Sequence, residues 1–336
     1  MKNSLLFLSF LFLTATAFAQ NTLIVDNTGS APTGDHVYTN LQTAIDAAQE
    51  GDIIHVMPSP ISYGNIDIVD KNNLSMIGVG INPQLLGTVS VEMSFLGQIT
   101  LNNTSKIKLA GLSAGILRML GNPSTELIVH NTRITGFSID ALTNSVFQNS
   151  FINTSVNSVV GPSSSGIQFV NCIITGVFSS IHNSNFTNNI IYHQNNVFSN
   201  NILNSVFRNN IIIGYEQFTT DPANSGNSVY EYNFSELSLP ISGTNAGNNN
   251  ISTLTGELFT DGNIEFGVIW NRIWSPELGD NNLINAGNDG TNIGPTGGAV
   301  PYTLDATPLP YIQELIAPLT IKKGTNTEVT IKAKGN

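Results

Sequence analysis

Groups that could act as acids and bases are sparse in this chain and poorly placed to meet. Between Leu127 and Tyr215 the one carboxylate is Asp140, and the basic and imidazole groups are His130, Arg133, His182, His193 and Arg208. General acid–base cleavage of a polymer needs two such groups converging on one reacting bond, and this spacing offers no pair. His130 and Arg208 share a position within a repeated phrase, but Gln148, Val170 and Thr187 stand between them in that column, which reads as an exposed, solvated face. The densest acid and amide cluster is Asp280, Asn285, Asn288 and Asp289 in LGDNNLINAGNDG. Its oxygens on a Gly-rich turn could hold Ca²⁺, although turn formation accounts for Asn-Asp-Gly without a metal. No catalytic residue, metal ligand or cofactor is assigned from these patterns. Aromatic rings supply the remaining chemistry, since exposed Tyr and Trp stack on sugar rings. Tyr230 and Tyr232 alternate in SVYEYNF, which puts them on one strand face, and Trp270 and Trp274 follow in FGVIWNRIWSP. These four are the candidate glycan contacts.

The elements that must position any such site are written as a repeat. NSVFQNSFIN at Asn144–Asn153 returns as NSVFRNNIII at Asn204–Ile213, with FVNCII, FTNNII and FSNNIL between them. Taking the apolar residue two before the Asn as a marker, Val129, Phe147, Phe169, Phe186 and Phe207 lie 18, 22, 17 and 21 residues apart. Phe198 falls between two markers, as a second corner of one unit would. Earlier segments such as NNLSMIGVG, SKIKLAGLSAG and TELIVHNTRITG carry short alternating apolar runs closed by Gly. A constant corner with variable spacing predicts stacked coils joined by loops of different length.

Alternation places each Phe and a later Ile on one face of an extended chain, and the runs are too short for helices. Asn adopts left-handed backbone angles more readily than other residues with a side chain, so it can turn the chain between strands. If Asn149, Asn171, Asn188 and Asn209 stack from coil to coil, their amides should form an interior hydrogen-bonded ladder that favours one register. The expected fold is all-β, a parallel β-helix. Its open first coil needs a plug. YTNLQTAIDAAQEGDIIHVMPSP supplies a short helix with Thr39 or Asn40 as N-cap, Leu41, Ala44, Ile45 and Ala48 at helical spacing, an end at Gly51, and then a strand.

The helix, Gly51-Asp52, the strand and the Asn-cornered coils together resemble the secreted right-handed parallel β-helix proteins with a pectin-lyase-like fold. LINAGNDGTNIGPTGGAVPY, at Leu283–Tyr302, resembles the last coil of such proteins from Bacteroidota. The resemblance implies a right-handed solenoid over residues 20–302. Enzymes of that family cut acidic polysaccharides by β-elimination with Ca²⁺ and an Arg or Lys base, or by hydrolysis with several Asp; both need convergent acids.

The ends and the composition complete the reading. Residues 1–19 carry Lys2, an apolar stretch Leu5–Leu13 and Ala17-Phe18-Ala19, the pattern of a signal peptide, and the stretch is shorter than the ~20 residues of a spanning helix. The chain is therefore expected to be secreted, to the periplasm, cell surface or medium, without membrane insertion. Residues 303–336 read as a Pro-containing linker and β-hairpin tail, expected to cap the final coil; the alternative is surface docking or sorting through Lys322, Lys323, Lys332 and Lys334. A net charge of −11 disfavours nucleic acid and acidic polymers as partners. With Cys172 as the single cysteine no intrachain disulfide can form, and Cys172 reads as a small core residue. The function expected is non-catalytic presentation of a solenoid face to a glycan or surface component; the alternative is a polysaccharide lyase or glycoside hydrolase with an atypical site.

Overall fold

The computed structural model describes residues 20–29, 34–80, 93–193, 199–200, 202–214, 219–220, 226–236, 238–241, 243–259, 278–302, 311–316 and 330–334. Residues 1–19, Phe198, Trp270 and Trp274 lie outside them. Short strands stack in parallel into a 12-stranded first sheet and an 11-stranded second sheet. Successive rungs of one winding chain supply neighbouring strands, so the architecture is a parallel β-solenoid.

Two rows of left-handed corners flank the strands of the first sheet. Asn149, Asn171, Asn188 and Asn209 end the strands with φ of 48, 51, 55 and 56°. Asn144, Asn183, Asn204 and Asn227, each followed by Ser, open them with φ between 49 and 55°. Between the corners, the marker residues face inward in exact register. Phe147, Phe169, Phe186, Phe207 and Tyr230 stack face to face with centroids 4.6–5.0 Å apart and planes within 15°. Parallel rungs recur about every 4.8 Å, so one ring per rung meets the next at stacking distance.

The interior amide ladder exists, one residue later than the sequence suggested. Asn189 Nδ2 donates to Asn210 Oδ1, Asn210 to Asn233, and Asn233 to Asn250, at 2.9, 2.9 and 3.1 Å. Each Nδ2 also donates to the carbonyl of the ring residue one rung back: Phe169, Phe186 and Phe207 in turn. The reason is geometric. A residue at left-handed angles points its side chain away from the core, and the extended residue after it points in. Cys172 occupies the same position one rung before Asn189: its N–H donates to Asn189 Oδ1 at 2.8 Å and its Sγ donates to Phe147 O at 3.3 Å. Burial pushes its thiol up to about 12. At the opposite corner Ser145, Ser184, Ser205 and Ser228 face inward, and the hydroxyls of Ser145, Ser205 and Ser228 each accept a backbone N–H from the rung before.

The first coil is closed by helix α1, Leu41–Ala47, which buries Leu41, Ala44 and Ile45. Asn40 is the N-cap, accepting from Thr43 N. The helix stops at Ala48 rather than Gly51, and Lys71 Nζ donates to the freed carbonyl of Ala48 at 2.8 Å. Asp52 is buried; its carboxylate accepts from Asn21 N and Gln49 N, tying the first strand to the end of α1. No described helix is long and apolar enough to cross a membrane.

Leu283–Tyr302 is not a coil. It runs as an irregular strap across the outside of the Asn corners and onto the outer face of the second sheet. In the tail, Tyr311–Ile316 pairs antiparallel with Thr330–Lys334.

Candidate functional site

The outside of the solenoid divides into a covered face and an open one. On the second sheet, Phe151, Ile173, Ile190, Ile211 and Phe234 form one outward column. From Ile173 onward these residues are buried, in a cluster with Leu283, Ile293 and Tyr302 of the strap and with Leu258 and Phe259. The paired apolar residues of the repeat are thereby explained: Ile174, Ile191 and Ile212 fill the interior, and their neighbours Ile173, Ile190 and Ile211 seat the strap.

Corner amides fix the strap's course. Asn171 Nδ2 donates to Pro295 O and Gly297 O, both at 2.8 Å. Asn188 Nδ2 donates to Asn292 O and Gly294 O at 3.2 and 3.3 Å. Asn209 exchanges two bonds with Asn288, Nδ2 to Oδ1 and N–H to Oδ1. Gly294 has φ of +97°, and a Cβ there would strike Ile211, so glycine lets the strap backbone lie against the sheet.

On the first sheet the outward columns are open. One holds Ile128, Val146, Gln168, Asn185, Val206 and Val229, the other His130, Gln148, Val170, Thr187, Arg208 and Glu231. Ile128, Gln168 and Asn185 are exposed and the rest half-buried. Arg208 and Glu231 neutralise each other through a 2.7 Å ion pair. Burial and the nearby charge of Lys108 lower the pKa of His130, which keeps that imidazole neutral at pH 7. The face therefore offers amides, a hydroxyl and β-branched side chains with little net charge over these rungs.

The polar groups singled out in the sequence are engaged elsewhere. Asp140 Oδ1 accepts from the backbone of Ala141 and of Ser163, both at 3.0 Å, and so organises a turn. His182 lies close enough for the Asp140 charge to favour its protonated form, but burial prevails and its pKa falls. Asn288 is bonded to Asn209, and Asp289 Oδ1 accepts from the N–H and hydroxyl of Thr291. Among the described residues no group of three or more His, Cys, Asp or Glu could hold a metal ion.

Tyr230 is not a surface residue. It is 0% exposed as the last ring of the interior stack, so it cannot stack on a sugar. Tyr232 does not share its face: it takes the left-handed corner position at φ 54° and is half-buried. Alternation failed because the chain turns at Tyr232, where the other rungs place Asn. The His130 to Arg208 column is the exposed face that the sequence indicates; the column beside it was missed, although Gln168 and Asn185 at a constant offset before the markers were its signal.

No family model matches the chain and no curated protein is detectably similar to it. Among solved structures, the fold is similar to an alginate lyase from Paenibacillus sp. str. FPU-7, at 12% identity and a TM-score of 0.35 over 63% of this chain and 96% of that one. It is also similar to a rhamnogalacturonan lyase, at 12% identity and a TM-score of 0.43 over 77% of this chain and 95% of that one.

Proposed function

We propose that the chain is an exported, non-catalytic β-solenoid that binds a neutral glycan or surface component along the open face of its first sheet. The observation that supports this is the pair of outward columns from Ile128 to Glu231, where amide and hydroxyl groups alternate with apolar side chains and the one ion pair is self-neutralised. Sugars present the matching surface, hydroxyls around apolar ring faces. Burying a uronate against a face this poor in cations would leave its charge without a partner. Tyr232 remains a stacking candidate, and Trp270 and Trp274 stand as sequence-based candidates outside the described residues.

A glycan array read at low and high salt tests the proposal. Neutral polymers should be retained in preference to pectate, alginate or chondroitin, with little dependence on salt. Gln168→Ala and Asn185→Ala should each weaken binding several-fold, about 1 kcal/mol per lost hydrogen bond, without changing the far-ultraviolet spectrum. The same incubations, with and without Ca²⁺, should release neither unsaturated nor reducing ends. Cleavage abolished by Asp140→Asn would replace this reading with the lyase or hydrolase alternative, and binding confined to uronic-acid polymers would remove it.

A further inference from the structure

The two ends of the solenoid are finished differently. At the first, α1 covers the core and buries three apolar side chains. At the other, Ala246–Asn248 is the last strand in the order of the first sheet, with no strand on its far side among the described residues. All three of its residues are exposed. That includes Gly247, which lies in the inward column below Tyr230, where the preceding rungs carry fully buried rings. Ile241 rests its side chain against Gly247 and is itself 43% exposed.

Exposed edge strands template pairing with other chains unless blunted by short length, charge, proline or a bulge; this one is three residues long but carries neither charge nor proline. Here residues 237–256 contain no charged side chain, although the whole chain carries a net −11. For two copies of so acidic a chain, an uncharged end is a place where close approach costs little repulsion.

We infer that this end is a self-association surface at which Ala246–Asn248 pairs antiparallel with the same strand of a second copy. A two-fold arrangement sets Gly247 opposite Gly247, places Ala246 opposite Asn248, and brings the two Ile241 side chains together over the ends of both cores. The asymmetry of the ends determines the assembly. Head-to-tail stacking would need a second open end and would grow a filament, whereas α1 closes the other end and limits association to a closed dimer.

Sedimentation velocity on the full chain over a hundredfold concentration range tests this. The weight-average mass should rise from that of one chain toward twice that value and no further. Ala246→Lys, which places a charge on the exposed edge, should hold the mass at one chain across the range with an unchanged far-ultraviolet spectrum. Ile116→Lys, an exposed site on the other sheet, should dimerise normally. Amide exchange at residues 246–248 should be fast in dilute solution and slow once the dimer forms. A chain that stays monomeric at every concentration overturns the inference. So does a dimer that survives Ala246→Lys, growth beyond two copies, or protection of these amides in the monomer, which would mean that another part of the chain covers the edge.

Discussion

From Leu23 to Val129 the inward column of the first sheet is aliphatic, running Leu23, Ile54, Met76, Leu109, Val129 at separations of 31, 22, 33 and 20 residues. From Phe147 to Tyr230 it is aromatic, and the separations narrow to between 17 and 23. Aliphatic side chains interlock in many relative positions, so the early rungs tolerate long and unequal excursions between strands. Parallel rings at 4.6–5.0 Å tolerate little slippage. The later half accordingly carries the register devices: the Asn ladder and the strap hydrogen bonds lie there. The early half is secured instead at its end, by α1 and the buried Asp52.

That contrast can be broken most severely in the ladder. Asn210→Leu would strip partners from Asn189 N–H and Nδ2, from Asn233 Oδ1 and from the Phe186 carbonyl. Asn189 Nδ2 would keep the Phe169 carbonyl and Asn233 Oδ1 the Asn210 N–H, so the cost falls on Asn189 N–H and the Phe186 carbonyl; at roughly 1–3 kcal/mol for a buried group left unpaired, urea unfolding should show a loss of roughly 2–4 kcal/mol. A loss under about 1.5 kcal/mol would show that the ladder does not hold the register. Ring stacking comes next. Phe186→Leu removes two stacked contacts and some volume and should cost about 2–3 kcal/mol, while Leu109→Met in the aliphatic half should cost less than about 1.5 kcal/mol. Equal costs would dissolve the distinction between the halves.

A smaller effect is expected at the strap. Asn188→Gly keeps a residue suited to the left-handed corner while deleting the donor to Asn292 O and Gly294 O, at about 1–2 kcal/mol. Limited proteolysis should then cut within residues 281–302 faster than in the parent, and an unchanged rate would show that the apolar seat alone retains the strap. The smallest effect belongs to the open face. Arg208 and Glu231 are 37% and 29% exposed, so a double-mutant cycle should return less than about 1 kcal/mol for their pairing.

The solenoid was legible because Phe147, Phe169, Phe186 and Phe207 repeat with an Asn at constant offset, and a short alternating run closed by Asn admits few other folds. The turning role of those Asn residues was legible for the same reason. Their direction was not, since whether an amide points inward depends on the backbone angle at the corner, which reverses the alternation there. Hence the ladder fell on Asn189, Asn210, Asn233 and Asn250. The pairs Asn144-Ser145, Asn183-Ser184, Asn204-Ser205 and Asn227-Ser228 announced the second corner equally well, with a small inward hydroxyl after each turn. Leu283–Tyr302 misled because Asn and Gly serve a strap as they serve a coil; only partners 79 to 126 residues away distinguish the two. Tyr230 illustrates the limit for sites, since an aromatic on an alternating strand is equally suited to core and surface until its rung is placed.

Those long separations also order events in time. A rung meets its neighbour after some twenty residues of chain, whereas the strap must wait for Asn171, Asn188 and Asn209 to be presented together before it gains anything by docking. Loop-closure entropy and high contact order make that the slow step. Refolding should therefore show fast recovery of β-structure followed by a slower phase in which the aliphatic outer column of Ile173, Ile190 and Ile211 leaves water. During synthesis from the amino terminus the rungs emerge first and the strap follows them. The interval between them is when the acquired sheet is most open to proteases and to neighbouring chains.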